Sequence, residues 1–224
     1  MKLSTKTIAL LKNFAEINEN LFIQEGERII RTISPIGNIF AVGRLKEDEI
    51  FPIDVPIYQL REFLSVLGLV KDFSLEFESE DSLLVKNSNS TVRYRLASKD
   101  IITYPENDVV MPEVDFSFNL STDIIGKIRS ACSILGEETI SFSHGPDNQT
   151  VRLLVTSLED PTSNSFELYI PVSEGEIPPD QNYIIHSGNL KIIPQQYTVS
   201  FSKEGLARFV SDDVEYYIPL EEER

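Results

Sequence analysis

The feature that most constrains this chain is a recurring pattern. A segment with helical spacing of apolar residues is followed by three strand-like segments, and the sequence runs through this cycle four times in 224 residues. In 2–18, Ile8, Leu11, Phe14 and Ala15 share one face behind a cap at Ser4, with Lys6, Lys12, Asn13 and Glu16 opposite. In 56–71, Pro56 suits a first turn and Leu60, Leu64 and Leu67 form a stripe. In 121–136, Ile124, Ile125, Ile128, Cys132 and Leu135 point inward and Gly136 is the stop. A fourth and shorter helix is expected over 186–196, ended by Pro194.

Between these segments lie runs rich in β-branched and aromatic residues, bounded by turn residues. They are "NLFIQ", "RIIRTIS" and "NIFAVGRL"; "FSLEFES", "SLLVKN" and "TVRYRLA"; "TISFSH", "TVRLLVTS" and "SFELYIP"; and "YTVSFS", "ARFVSD" and "VEYYIPL". The repeat is one of pattern and not of residue identity. The stretch "TYPENDVVMPEVD", 103–115, has two prolines, four acids and no clean period, and reads as a connector between two similar halves.

No run of 18 apolar residues exists, and the first residues carry helical periodicity in place of a cleavable leader, so an intracellular protein outside the membrane is expected. The single cysteine, Cys132, excludes an internal disulfide framework and a multi-cysteine metal site. The formal net charge of −16 argues against a surface coated with nucleic acid, because phosphate binding needs clustered cations.

That charge is unevenly distributed. The four helical segments hold eight basic residues (Lys2, Lys6, Lys12, Arg61, Lys71, Lys127, Arg129 and Lys191) against three acids, Glu16, Glu62 and Asp123, for a net of +5. Everything else holds 12 basic and 33 acidic residues, a net of −21. If the helices line one surface, that surface is positive while the rest repels DNA. Lysine is also a good helix former that occupies solvated faces whatever the function, so the partition by itself leaves both readings open.

Signals for catalysis are poor. Cys132 sits on an apolar helical stripe, as a buried small side chain does, and His144 and His186 have no partner at metal-ligand spacing. The acidic clusters "EFESED" at 76–81 and "EEER" at 221–224 have the composition of a divalent-metal site, but at a strand end and a terminus they read as solvated charge. No phosphate-binding GxxxxGK[ST] loop or Gly-rich dinucleotide fingerprint occurs, so no cofactor, metal or catalytic residue is expected.

Three stretches carry a resemblance: "MKLSTKTIALLKNFAEIN" at the start, "DVPIYQLREFLSVLGLV" at 54–70 and "LKIIPQQYTVSF" at 190–201. They resemble the DNA polymerase sliding clamps of T-even-type bacteriophages, and the last is also similar to the final helix-to-strand step of cellular clamps. The resemblance implies an α+β DNA-clamp fold with two similar domains, 1–103 and 116–224, joined by a connector at 104–115. Each domain would hold two helices backed by antiparallel sheets. Three chains would close head to tail into a ring lined by the helices.

The implied function is a non-enzymatic processivity factor that encircles double-stranded DNA without reading its sequence. The eight basic residues above would face the DNA. Val92, Tyr94, Leu96, Phe166, Leu168 and Ile170 would form the subunit interface of the homotrimer. A groove for a partner's peptide would use Val109, Val110 and Met111 on one wall and Tyr217, Ile218 and Pro219 on the other. The implied partners are the replicative DNA polymerase, an ATP-dependent clamp loader and viral late-transcription factors, in the cytoplasm of an infected bacterial host. Two other readings remain beside it on the residues alone. One is an all-β binding or virion-assembly module, and the other is a metal-dependent enzyme using the acidic clusters.

Overall fold

The first helix shows how local sequence sets the architecture. In α1, Thr5–Ile17, Ser4 accepts the Thr7 N–H at 3.2 Å as N-cap, and Leu10, Leu11, Phe14 and Ala15 are buried. The helix lies close on its sheet. A Cβ at Gly43 would come within 2.5 Å of the Leu10 side chain, so the strand beneath must be bare there.

The computed structural model describes residues 1–221 except 148, 158, 159 and 161. They form two compact units, Met1–Asp108 and Val109–Arg224. In the first, α1 is followed by β1 (Leu21–Ile23), β2 (Ile29–Ile33), β3 (Phe40–Arg44) and β4 (Val55–Ile57). Then come α2 (Leu60–Leu69), β5 (Ser74–Ser79), β6 (Ser82–Lys86) and β7 (Thr91–Arg95). The antiparallel strands form two sheets, ordered β3-β2-β1-β4 and β5-β6-β7.

The second unit runs β8 (Phe116–Leu120), α3 (Thr122–Leu135), β9 (Thr139–His144), β10 (Thr150–Val155), β11 (Phe166–Gly175), β12 (Tyr183–His186), β13 (Tyr197–Ser202), β14 (Leu206–Val210) and β15 (Val214–Pro219). Its strands form one antiparallel array, β12-β9-β10-β11-β8-β13-β14-β15. The core is an aromatic cluster in which Phe201 lies 4.8–6.0 Å, ring centre to ring centre, from Phe116, Phe118, Phe142 and Tyr183. Among the described residues no helix is long and apolar enough to cross a membrane.

The units share a plan. In the second, β8 enters α3 and pairs with β13, Phe116 opposite Phe201. In the first, Met1 plays that part in miniature: Leu75 N–H donates to the Met1 carbonyl, and the Met1 ammonium donates back to the Leu75 carbonyl, both at 2.7 Å.

Three expectations are corrected. Pro56, expected in the first turn of a helix, lies in β4 opposite Phe22 of β1, and α2 begins only at Leu60. Residues 186–196 do not form a fourth α-helix. Only a single 3-10 turn, Ser187–Asn189, is present there, so among the described residues the second unit has one α-helix where two were expected. Gly188 and Pro194 leave too few helix-competent residues, and Leu190 and Ile192 are both buried with Lys191 exposed between them, which is strand-like alternation. The cycle of one helix and three strands also omitted β4, β8 and β12, three short strands placed before a helix or turn.

Candidate functional site

The eight candidate DNA-facing residues fall into distinct environments. Lys6 and Lys12 stand on the exposed face of α1, with Lys2 exposed just before it, Lys71 exposed just beyond α2, and Lys191 exposed beyond the 3-10 turn. Arg61, in the first turn of α2, is drawn to the end of α1: it donates to the Ala15 carbonyl at 3.2 Å and lies 3.2 Å from Glu19 and 3.7 Å from Glu16. The Leu60 N–H donates to the Glu19 carbonyl at 2.7 Å, so the two helix ends interlock. Lys127 pairs with Asp123 one turn earlier on α3 at 2.7 Å. Arg129 is half-buried, and its Nη2 donates to the carbonyls of Leu190 at 3.1 Å and Ile192 at 2.7 Å.

With the observed boundaries the three helices hold five basic and three acidic residues, a net of +2, against −18 for the rest. The contrast is smaller than the segments suggested because Lys2, Lys71 and Lys191 lie just outside helical structure. All three remain exposed beside it.

The helix ends are fixed with unusual care at α1. Glu49, from the loop after β3, is 1% exposed, and its carboxylate accepts from the Ser4 N–H, the Thr7 hydroxyl and, at 3.2 Å, the Lys46 N–H. Burial alone would raise its pKa, but these donors bring it below the ordinary glutamate value.

The six candidate interface residues lie on or beside strand edges. β7 is the outer strand of β5-β6-β7, with Val92 half-buried and Tyr94 packed 5.0 Å, ring centre to ring centre, from Phe63. Burial, aided by Glu62, pushes the Tyr94 hydroxyl up to about 12. Leu96 follows the strand and donates its N–H to the Asp81 carbonyl at 2.9 Å. In β11, residues 166–171 pair with β10 alone among the described residues, and β8 is joined only from Val172 onward, across a bulge. Phe166 and Leu168 are half-buried and Ile170 is buried. Phe166 also borders a shallow apolar depression on α3 lined by Gly126, Ala131 and Ile134, the last 81% exposed.

Each half of the candidate connector, 104–115, carries an anchoring aspartate. Within the first unit Asp108 accepts a two-pronged contact from Arg31, whose Nη2 lies 3.1 Å away. The hydrogen bond lowers the pKa of Asp108 and raises that of Arg31. Within the second, Asp115 accepts from the Tyr183 hydroxyl at 3.0 Å and from the Lys203 N–H. Of the residues after Asp108, Val109 and Met111 are half-exposed and Val110 is 84% exposed.

The opposite wall is corrected in part. Ile218 is 0% exposed, filling the core of the second unit where β15 alternates inward, so it has no surface to offer a peptide. Tyr217 is 7% exposed, with Arg208 5.6 Å over its ring, while Pro219 is exposed.

The remaining chemistry-bearing residues have structural partners. Three of the four 76–81 acids face cations of the same sheet: Glu76 pairs with Lys86, Glu78 with Arg93 at 3.1 Å and Asp81 with Arg95 at 3.6 Å. Glu222, Glu223 and Arg224 of the terminal cluster lie outside the described residues. Burial pushes the half-buried Cys132 thiol up, away from the reactive thiolate. His186 accepts the Gly188 N–H on Nδ1 and faces Glu138 with Nε2, each at 3.0 Å, so its ring closes the 3-10 turn.

No family model matches the chain. Over 224 aligned residues it is 29% identical to the sliding clamp of Vibrio phage KVP40, covering 99% of each chain. It is 28% identical to the sliding clamp of Escherichia phage RB69, covering 99% of this chain and 97% of that one. Along its whole length this chain is similar to the sliding clamps of T4-like phages. Its fold is the DNA-clamp fold: the structure of A. fulgidus PCNA with the C-terminal region of FEN-1 matches at a TM-score of 0.72, with 14% identity, over 97% of this chain and 95% of that one.

Sequence reasoning missed Arg31 and Glu49. Arg31 sits at a polar position in "IIRTI", a visible sign of an outward-facing residue, but its partner lies 77 positions away. Glu49 carries no local sign of burial, since it sits in the acidic run "KEDE".

Proposed function

We propose that this chain works as a sliding clamp, a non-enzymatic ring that encircles duplex DNA and tethers a replicative polymerase for processive synthesis. The observation that carries this reading is the charge partition on a clamp fold. Helices of net +2 stand in a chain whose other residues sum to −18. Sliding needs contacts without sequence information, and lysines reaching phosphates supply them. A modest charge suits the task, because a closed ring is retained by topology and tight phosphate contacts would stall it.

Assembly would be a head-to-tail homotrimer in which the free edge of β7 pairs with residues 166–171 of β11 in the next chain. Both segments have one unpaired side among the described residues, which otherwise invites uncontrolled association. The domains would be 1–103 and 116–224, with 104–115 as connector. Loading would fall to a separate ATP-dependent machine in the cytoplasm of the infected host. The archaeal clamp is seen with a partner's C-terminal region, and by analogy Val109, Val110 and Met111, with Pro219 and the edge of Tyr217, would receive the polymerase's terminal peptide. The same surface would serve late-transcription factors.

The test is solution mass and polymerase stimulation together. A 25.4 kDa chain should sediment as a species of about 76 kDa and extend synthesis on a primed circular template when loader and ATP are present. A monomer without effect on synthesis would overturn the reading. Val110→Ala with Met111→Ala should weaken the terminal peptide by about thirtyfold, roughly 2 kcal/mol, with the trimer intact. Unchanged peptide affinity by calorimetry would remove the connector from the groove.

A further inference from the structure

The second unit presents Lys191 without a helix to carry it. Residues 190–193 are held by side chains instead. Arg129 Nη2 reaches the Leu190 carbonyl at 3.1 Å and the Ile192 carbonyl at 2.7 Å, the two carbonyls that flank Lys191. The Tyr216 hydroxyl accepts the Ile193 N–H at 3.2 Å, and the Tyr197 hydroxyl donates to the Ile193 carbonyl at 2.6 Å. Leu190 and Ile192 are buried on either side and Lys191 is exposed.

We infer that Arg129 is a positioning residue for the passage of DNA: by gripping both carbonyls around Lys191 it fixes the backbone that turns this ammonium outward. One guanidinium nitrogen, bonded to both carbonyls, does here what successive helical hydrogen bonds do for Lys6 and Lys12 on α1. A lysine on a loose loop spends conformational entropy at each phosphate contact, and one on a clamped backbone spends less. Both bonds come from the single terminal nitrogen Nη2, on a side chain one bond longer than lysine's, and this reach makes arginine and lysine inequivalent at 129. The inference rests on the clamp reading, in which Lys191 meets phosphate.

The test uses the full chain and a fluorescein-labelled, 30-base-pair duplex of arbitrary sequence, titrated by anisotropy at several salt concentrations. Lys191→Ala should weaken binding by about threefold and flatten the salt dependence by roughly one phosphate contact. Arg129→Lys, which keeps the charge, should do much the same, and should add nothing in the Lys191→Ala background. Tyr216→Phe loosens the same segment through Ile193 without altering charge, and should shift affinity in the same direction even if Arg129→Lys folds poorly.

Wild-type affinity and salt dependence in both Arg129→Lys and Tyr216→Phe would overturn the inference, and a lowered melting temperature alone would not rescue it. Additive losses in the Arg129→Lys, Lys191→Ala double variant would also overturn it, because Arg129 would then be touching DNA itself. If Lys191→Ala has no effect, the DNA-facing assignment of Lys191 fails, and the inference falls with it.

Discussion

The two units solve one problem in different ways. In the first, α2 follows α1 and is held by backbone hydrogen bonds, by buried Leu60, Phe63 and Leu67, and by Arg61 at the junction. In the second, the corresponding stretch is a 3-10 turn and an irregular segment fixed by Arg129, Tyr197 and Tyr216. A helix satisfies its own backbone, whereas an irregular segment must borrow donors and acceptors from neighbouring side chains. The general lesson is that both units bury apolar residues at this place, and regular secondary structure is only one way to hold them.

The contrast breaks most sharply at Phe63, which is fully buried on the inner face of α2 and meets Tyr94. Phe63→Ala should cost about 3–5 kcal/mol by emptying the site, measured by chemical denaturation. No single substitution in 187–193 should cost as much, since that segment is held at several separate points.

Next comes the capping of α1 against that of α3. Glu49→Gln would place an amide donor against three donors, and should cost about 2–3 kcal/mol at neutral pH. The sign with pH follows from the lowered pKa of Glu49. The advantage of the wild type over Glu49→Gln is fully present above the ordinary glutamate pKa of about 4.3, and shrinks as pH falls through the lower folded value. A gap between the two melting curves that stayed constant down to pH 2 would show the carboxylate's charge to be irrelevant.

Smaller still, Tyr216→Phe leaves the Ile193 N–H without its acceptor and should cost about 1–2 kcal/mol. Ser121→Ala removes the hydroxyl that accepts the Ile124 N–H at 3.3 Å at the start of α3, and should cost about 1 kcal/mol. If Ser121→Ala proved as damaging as Glu49→Gln, the two helices would not differ in how they are anchored.

The same contrast explains what was legible in the sequence. The three α-helices lie within the segments read from apolar spacing, and for α1 and α3 Ser4, Ser121 and Gly136 signal ends locally: both serines cap, and Gly136 adopts the left-handed conformation at φ 72°. For α2 no side chain caps the start, and Pro56 marks a strand instead of a first turn. The fourth helix, expected over "HSGNLKIIPQQ", misled because Gly188 and Pro194 oppose a helix and the buried Leu190 and Ile192 are spaced by two. Strand β8 was visible as alternating Phe116, Phe118 and Leu120, yet it did not suit a cycle of one helix and three strands.

At the candidate site, the outward lysines were legible from helical periodicity alone. Arg61 and Arg129 were not separable from them, because arginine's reach to a carbonyl 46 or 61 positions away is a property of the fold. Ile218 was misplaced for a related reason. In "VEYYIP" the inward positions cannot be told from the outward ones where three consecutive residues, Tyr216, Tyr217 and Ile218, are all buried.

The central claim is that the exposed lysines beside the helices meet DNA inside a ring. The most direct test replaces Lys6, Lys12, Lys71 and Lys191 with Glu together, and reads solution mass and polymerase stimulation on a primed circular template from the same preparation. These side chains are exposed, so the variant should keep its fold and its mass of about 76 kDa while losing most of the stimulation. An intact trimer that stimulates synthesis as well as the unmodified chain would contradict the account.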